Sequence, residues 1–165
     1  MKGVVVPILF LLLGLFFFPV ERSVMAEEKV GVGLAEEVIL VHWGIRMPAR
    51  IDTGAATSSL DARNLAVKDG IAEFKLPDKY GGLELKLPVL KWRVTKSAMG
   101  QKRRPVVEID LCLGSKHIRT EVNLMDRSGL NYPMLIGRNV LKKNFVVDCM
   151  KSYCAPPACP AAPVK

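Results

Sequence analysis

Leu83, Leu85 and Leu87 alternate with Glu84 and Lys86, and Val107, Ile109, Leu111 and Leu113 alternate with Glu108, Asp110 and Cys112. Strand side chains point to opposite faces in turn, so a period of two marks strands with one face buried. Turn-forming residues interrupt these runs at Trp43-Gly44, Pro88 and Gly114-Ser115, and the polar stretch Ser97–Arg104 suits a hairpin tip. Many short strands with frequent turns favour a barrel or sandwich over a helical bundle. Further strands are expected over Val38–Val41, Ile45–Ile51, Val89–Thr95, Ile118–Met125, Met134–Ile136 and Phe145–Val147. One short helix is expected from Val140-Leu141, and a single helical turn over Ser58–Asn64. Val38–Asp52 and Val107–Asp126 share one order: strand, Gly turn, strand, acidic loop. A duplicated half-barrel would produce that echo, and so would two unrelated strand–turn–strand units.

The first residues follow a different rule. Val4–Val20 is uncharged, Lys2 precedes it, and Glu21, Arg22 and the small-residue site Val24-Met25-Ala26 follow. This order predicts a secretory signal peptide over 1–26. An uncleaved anchor is the alternative, although the run is short for a span, which needs about 20 residues. Export places the mature protein in the periplasm, or on the inner membrane facing it. Residues 27–37 read as a linker or a weak first strand, 38–150 as the folded domain, and 151–165 as a Pro/Ala/Cys-rich tail, disordered from Ala155 onward.

The chain carries a net charge of +8, and Lys91, Arg93, Lys96, Lys102, Arg103 and Arg104 lie close together. No nucleic-acid motif accompanies them, and export argues against such a partner; they read as a solvated hairpin. Cys112, Cys149, Cys154 and Cys159 allow three full pairings in an oxidising compartment, a bridge within the tail being the simplest. Their spacing does not fit a structural zinc site. His42 and His117 read as turn or strand residues, so no metal and no cofactor is expected.

The chemistry centres on Ile51-Asp52-Thr53-Gly54-Ala55. An acidic residue closes an apolar strand, Gly54 permits a tight turn with amides facing the carboxylate, Thr53 offers a hydroxyl to lock the loop, and Ala55 leaves room beside it. A second segment, Pro133-Met134-Leu135-Ile136-Gly137-Arg138-Asn139-Val140-Leu141, carries an apolar strand into Gly, Arg-Asn and a helix start.

Together these segments resemble the retropepsins, which pair an apolar-DTGA box with an apolar-Gly-Arg-Asn box near the C-terminus. The wider context (RIDTGAATSSLDA, RPVVEIDLCLG, TEVNLMDRSGLNYPMLIGRNVL and FVVD) is similar to a bacterial group often labelled ATP-dependent zinc protease, over Val38–Asp148. The resemblance implies an all-β, closed acid-protease barrel with one short helix. It makes Asp52 the catalytic carboxylate, Thr53, Gly54 and Ala55 its loop, and Gly137, Arg138 and Asn139 structural residues near a dimer interface. Ser97, Ala98, Met99 and Gly100 take the place of the flap. Two neighbouring carboxylates that share a proton supply the base and the acid of such a reaction. One DTG in a chain too short for two lobes implies that the second comes from another copy across a two-fold axis. Asp126 is the alternative partner, within one chain. The group often has Arg at Ala56 and His at Asp61, so contacts there are expected to differ. Neither the zinc nor the ATP of the label finds a motif. The substrate is a peptide or protein, and Ala55 in place of Ser implies an optimum nearer mildly than strongly acidic. A peptide-binding module that has lost turnover is the alternative function.

Overall fold

The computed structural model describes residues 28–97 and 100–159. The expected leader over 1–26 and the flap residues Ala98 and Met99 lie outside the described residues. Among the described residues no helix is long and apolar enough to cross a membrane.

Among the described residues the fold is mostly β with one α-helix. Its strands are β1 Val30–Val32, β2 Ala35–Leu40, β3 Ile45–Ile51, β4 Ser58–Asp61, β5 Arg63–Lys68, β6 Ile71–Lys75, β7 Glu84–Pro88, β8 Lys91–Ser97, β9 Gly100–Leu113, β10 Lys116–Met125, β11 Met134–Ile136 and β12 Phe145–Val147. The helix α1 is Arg138–Asn144. Seven strands form the main sheet in the order β10-β4-β11-β3-β2-β9-β8, and β10 also pairs with β9. A three-stranded sheet β5-β6-β7 and a parallel pair β1-β12 complete the chain.

The two-residue period produces the core directly. Along β9, Val107, Ile109, Leu111 and Leu113 are buried, as are Leu40, Leu60, Leu124, Met134 and Ile136 from the neighbouring strands. Each such side chain contributes roughly 1.5–3 kcal/mol by leaving water. The β2–β3 hairpin turns through a 3-10 turn at Val41–Trp43 and Gly44, whose φ of 65° suits a residue without a Cβ.

The internal echo has a structural counterpart. β2–β3 and β9–β10 are antiparallel hairpins, and the second strand of each pairs in parallel with a short strand: β3 with β11, and β10 with β4. Asp52 and Asp126 follow β3 and β10 respectively.

Two local expectations change. Ser58–Asn64 is not a helical turn: Ser58–Asp61 is β4, buried throughout and held between β10 and β11. The stretch 28–37, read as a linker or a weak first strand, holds β1 and the start of β2, and β1 pairs with β12. The tail is ordered through Cys159. Cys112 and Cys159 form a disulfide, so the bridge joins tail to sheet and does not lie within the tail, and Cys149 and Cys154 are free. Sequence proximity misled here because the tail folds back along the domain. The Leu34 amide donates to the Lys151 carbonyl at 2.8 Å, the Tyr153 amide to Ala35 at 2.7 Å and the Ala158 amide to Gly114 at 2.8 Å. Glu36, wholly buried, accepts from the amides of Gly33 at 2.6 Å, Cys154 at 3.2 Å and Ala155 at 3.0 Å. A buried carboxylate is tolerated when donors surround it, and the tail supplies them.

Candidate active site

The parallel pair β3–β11 sets Asp52. Ile51 lies opposite Ile136, and the Asp52 amide donates to the Ile136 carbonyl at 2.9 Å, carrying the ladder one residue beyond the strand. The chain then turns so that the amides of Gly54 and Ala55 both donate to Asp52 Oδ1, at 2.8 and 3.0 Å. A Cβ on Gly54 would stand 3.1 Å from that oxygen, which favours glycine there.

Arg138, the first residue of α1, holds this turn from behind. Its Nη1 donates to the carbonyls of Thr53 at 2.8 Å and Gly54 at 2.6 Å, and its amide donates to the Ala55 carbonyl at 2.9 Å. The Thr53 carbonyl and the Gly54 amide belong to one peptide group, as do the Gly54 carbonyl and the Ala55 amide. Both peptides that donate to Asp52 are therefore polarised by the same guanidinium, which strengthens each as a donor.

Gly137 lets the two segments touch. A Cβ there would lie 2.7 Å from the Thr57 carbonyl carbon and 2.9 Å from the oxygens of Ala55 and Thr57. Asn139 Oδ1 accepts from the Ser58 amide at 2.8 Å and the Ser58 hydroxyl at 3.0 Å, while its Nδ2 donates to Thr120 Oγ1 and the Glu121 carbonyl, each at 2.9 Å. Asp52, Thr53, Gly54, Ala55, Gly137, Arg138 and Asn139 thus converge. Ser58, which sequence reading did not single out, is the buried hub between the two boxes; a serine two residues after Ala56 carries no signal of that role.

Beside the loop is an open cleft of about 340 Å³, lined by Ala55, Thr57, Leu135 and three arginines, Arg93, Arg104 and Arg127. Arg93 and Arg104 face each other across β8 and β9, in the hairpin where a flap was expected. Ser97 and Gly100 pair at the described end of that hairpin. Burial pulls the Arg104 guanidinium below its ordinary value. Burial does the same to Arg127, with Arg104 pushing the same way and Asp61 and Asp52 opposing. Neither shift removes the charge of an arginine. Arg127 is buried, donating to the Tyr132 carbonyl at 2.9 Å and Ser59 Oγ at 2.8 Å.

Asp61 binds Arg63 through two bonds of 2.8 Å and accepts from the Arg127 amide at 2.8 Å, so it braces the cleft floor. Asp126 turns to the Ser128 amide at 2.7 Å and lies 3.7 Å from Arg63. Its amide hydrogen bond from Ser128 is the main reason that its carboxyl sits below the usual range. A larger cavity, about 540 Å³, is lined by His42, Trp43, Glu84, Glu108 and Asp110 and shares no residue with the Asp52 loop. His117 is a strand residue 3.7 Å from Asp110.

A solved protein of unknown function from Legionella pneumophila superposes with a TM-score of 0.66 and 28% identity, over 78% of this chain and 99% of that one. That match accounts for nearly all of the Legionella chain. Among curated proteins, a probable alpha-L-glutamate ligase of Shewanella pealeana is 29% identical over 79% of this chain and 31% of its own length. Another, from Parasynechococcus marenigrum, is 31% identical over 73% of this chain and 28% of its own. The chain thus spans about a third of the length of these relatives. The family model of the retropepsin-like aspartic endopeptidase RimB matches residues 31–158. With the two boxes meeting as described, the chain belongs to the RimB-like family of retropepsin-like proteins.

Proposed function

We propose that the protein is an aspartic endopeptidase that hydrolyses peptide bonds with a water activated between two copies of Asp52. The observation that carries this reading is the Asp52 loop itself: a half-exposed carboxylate with one oxygen held by two amides and those amides braced by Arg138. Such a group is held in place yet open to a partner. One Asp of a facing pair takes a proton from water while the other, protonated, donates to the substrate carbonyl. Asp126 is engaged by Arg63 and Ser128, which supports drawing the second carboxylate from another chain. The pairing of β10, one end of the main sheet, with β9, next to its other end, supports reading it as a closed barrel. The enzyme acts after export, in the periplasm or on the inner membrane.

The arginines of the cleft support a preference for acidic substrates. Arg93, Arg104 and Arg127 place positive charge within reach of a chain lying along the loop, so acidic side chains fit best. The glutamate in the names of the curated relatives is in keeping with that preference.

Residues 27–165 are to be incubated with acidic and neutral peptide libraries between about pH 3 and pH 8, beside Asp52→Asn. Cleavage of acidic peptides that the variant loses, at a rate per protomer rising with concentration, supports the reading. Peptide binding without cleavage at concentrations where sedimentation shows dimers would replace it with the binding-module reading.

A further inference from the structure

The hairpin of β8 and β9 has two faces of different chemistry. Lys91, Arg93, Arg104 and Val106 lie on the face turned toward the cleft and β10, where Lys91 pairs with Glu121 at 2.6 Å. On the other face Leu90, Trp92 and Val94 follow one another at every second residue, exposed by 50%, 45% and 51%. Arg103, opposite Val94, lies over the Trp92 ring at 5.2 Å. From Val89 to Val107 the sequence holds six Lys or Arg residues and no Asp or Glu.

We propose that this outer face is a docking surface for an anionic lipid bilayer. Three apolar side chains in a row are more than the scattered exposure that a soluble surface carries without consequence. A tryptophan with aliphatic neighbours and flanking cations is the composition that seats at a headgroup boundary, the ring among acyl carbons and the guanidinium on phosphate. Charge selects among occupants. A second copy docking by the same face would set one cationic hairpin against another, whereas an anionic leaflet attracts each Lys or Arg near it. The edge position of β8 limits the depth. Its free backbone groups need water or headgroups, so the hairpin rests in the interface and does not enter the hydrocarbon. This surface acts without the N-terminal apolar segment.

The test uses residues 27–165, which hold the whole family match over 31–158 and leave out the N-terminal apolar segment. Vesicles of phosphatidylglycerol with phosphatidylcholine are compared with vesicles of phosphatidylcholine alone, by co-sedimentation at low and high salt. A Trp43→Phe variant leaves Trp92 as the reporter. The expected result is co-sedimentation with the anionic vesicles that falls at least about tenfold in high salt, with Trp92 emission moving to shorter wavelength. The paired substitution Trp92→Ser and Val94→Ser lowers binding by a similar factor. Equal sedimentation with both vesicle types overturns the proposal, as does binding that leaves Trp92 emission unchanged. A Trp92 shift produced by an acidic polypeptide and not by vesicles also overturns it, by assigning the face to a protein partner. Wild-type co-sedimentation decides the question even if the Trp43→Phe variant fails to fold.

Discussion

Arg138 donates to the Gly54 carbonyl at 2.6 Å, and the peptide group that begins there ends in the Ala55 amide, which donates to Asp52 Oδ1 at 3.0 Å. The neighbouring peptide repeats the relay through Thr53 and Gly54. A single guanidinium thus sets the position and donor strength of both amides on the carboxylate.

Arg138→Lys keeps the charge but replaces the planar guanidinium, whose Nη1 alone reaches both carbonyls, with an ammonium on a shorter stem. Peptide hydrolysis is expected to fall by about one to two powers of ten, mainly in kcat, with the fold retained by circular dichroism. Unchanged kcat would mean that the amides are held by the turn alone.

Gly137→Ala drives a methyl into the Thr57 carbonyl and the Ala55 oxygen, both backbone atoms that cannot swing aside. Overpacking of this kind costs about 1–3 kcal/mol. Thermal unfolding should show a drop in Tm, and activity should fall with it because the same contact seats the Asp52 loop. A variant as stable as the parent would show that the two boxes separate without penalty.

Most strands that a two-residue period marks were legible: β10, β7, the β2–β3 hairpin and β9 from Val107 onward stand where alternation or a Gly turn places them, whereas Gly100–Arg104, expected in a hairpin tip, is strand paired with β8. So were the two boxes, because each combines a strand end with residues whose geometry has a local reason. β4 was missed. All four of its residues, polar ones included, are buried, so Ser58, Ser59 and Asp61 showed no alternation. Their polar atoms are satisfied by Asn139, Arg127 and Arg63, contacts up to 81 residues away in sequence. The tail was misread for the same reason: Pro and Ala suggest disorder, whereas Glu36 and Cys112 hold it through long-range bonds.

The Cys112–Cys159 bridge closes a separation of 47 residues. Loop closure on that scale predicts about 4 kcal/mol of stabilisation in the chain-entropy model. Reductant, or Cys159→Ser, should lower Tm clearly. Tail amides should also gain hydrogen exchange first at Cys154 and Ala155, whose partner is Glu36. Unaltered Tm on reduction would mean that Glu36 and the backbone bonds suffice to hold the tail.

Cys154 gives a pH test of the same latch. Loss of solvation, then the hydrogen bond and negative charge of Glu36, hold its thiol above the ordinary value of 9.0, and a backbone hydrogen bond at Cys154 and the charge of Lys151 oppose this only in part. The folded protein therefore keeps this proton more tightly than the unfolded chain. Stability from this group is whole below the ordinary thiol value and is lost as pH rises from there through the raised one. In a Cys149→Ser background, alkylation of Cys154 followed by mass spectrometry should show a midpoint above pH 9.0. Glu36→Gln removes the charge and should bring the midpoint down. A midpoint at the ordinary value in the parent protein would show that the Glu36 carboxylate and the Cys154 thiol, 3.2 Å apart, are not held together in solution.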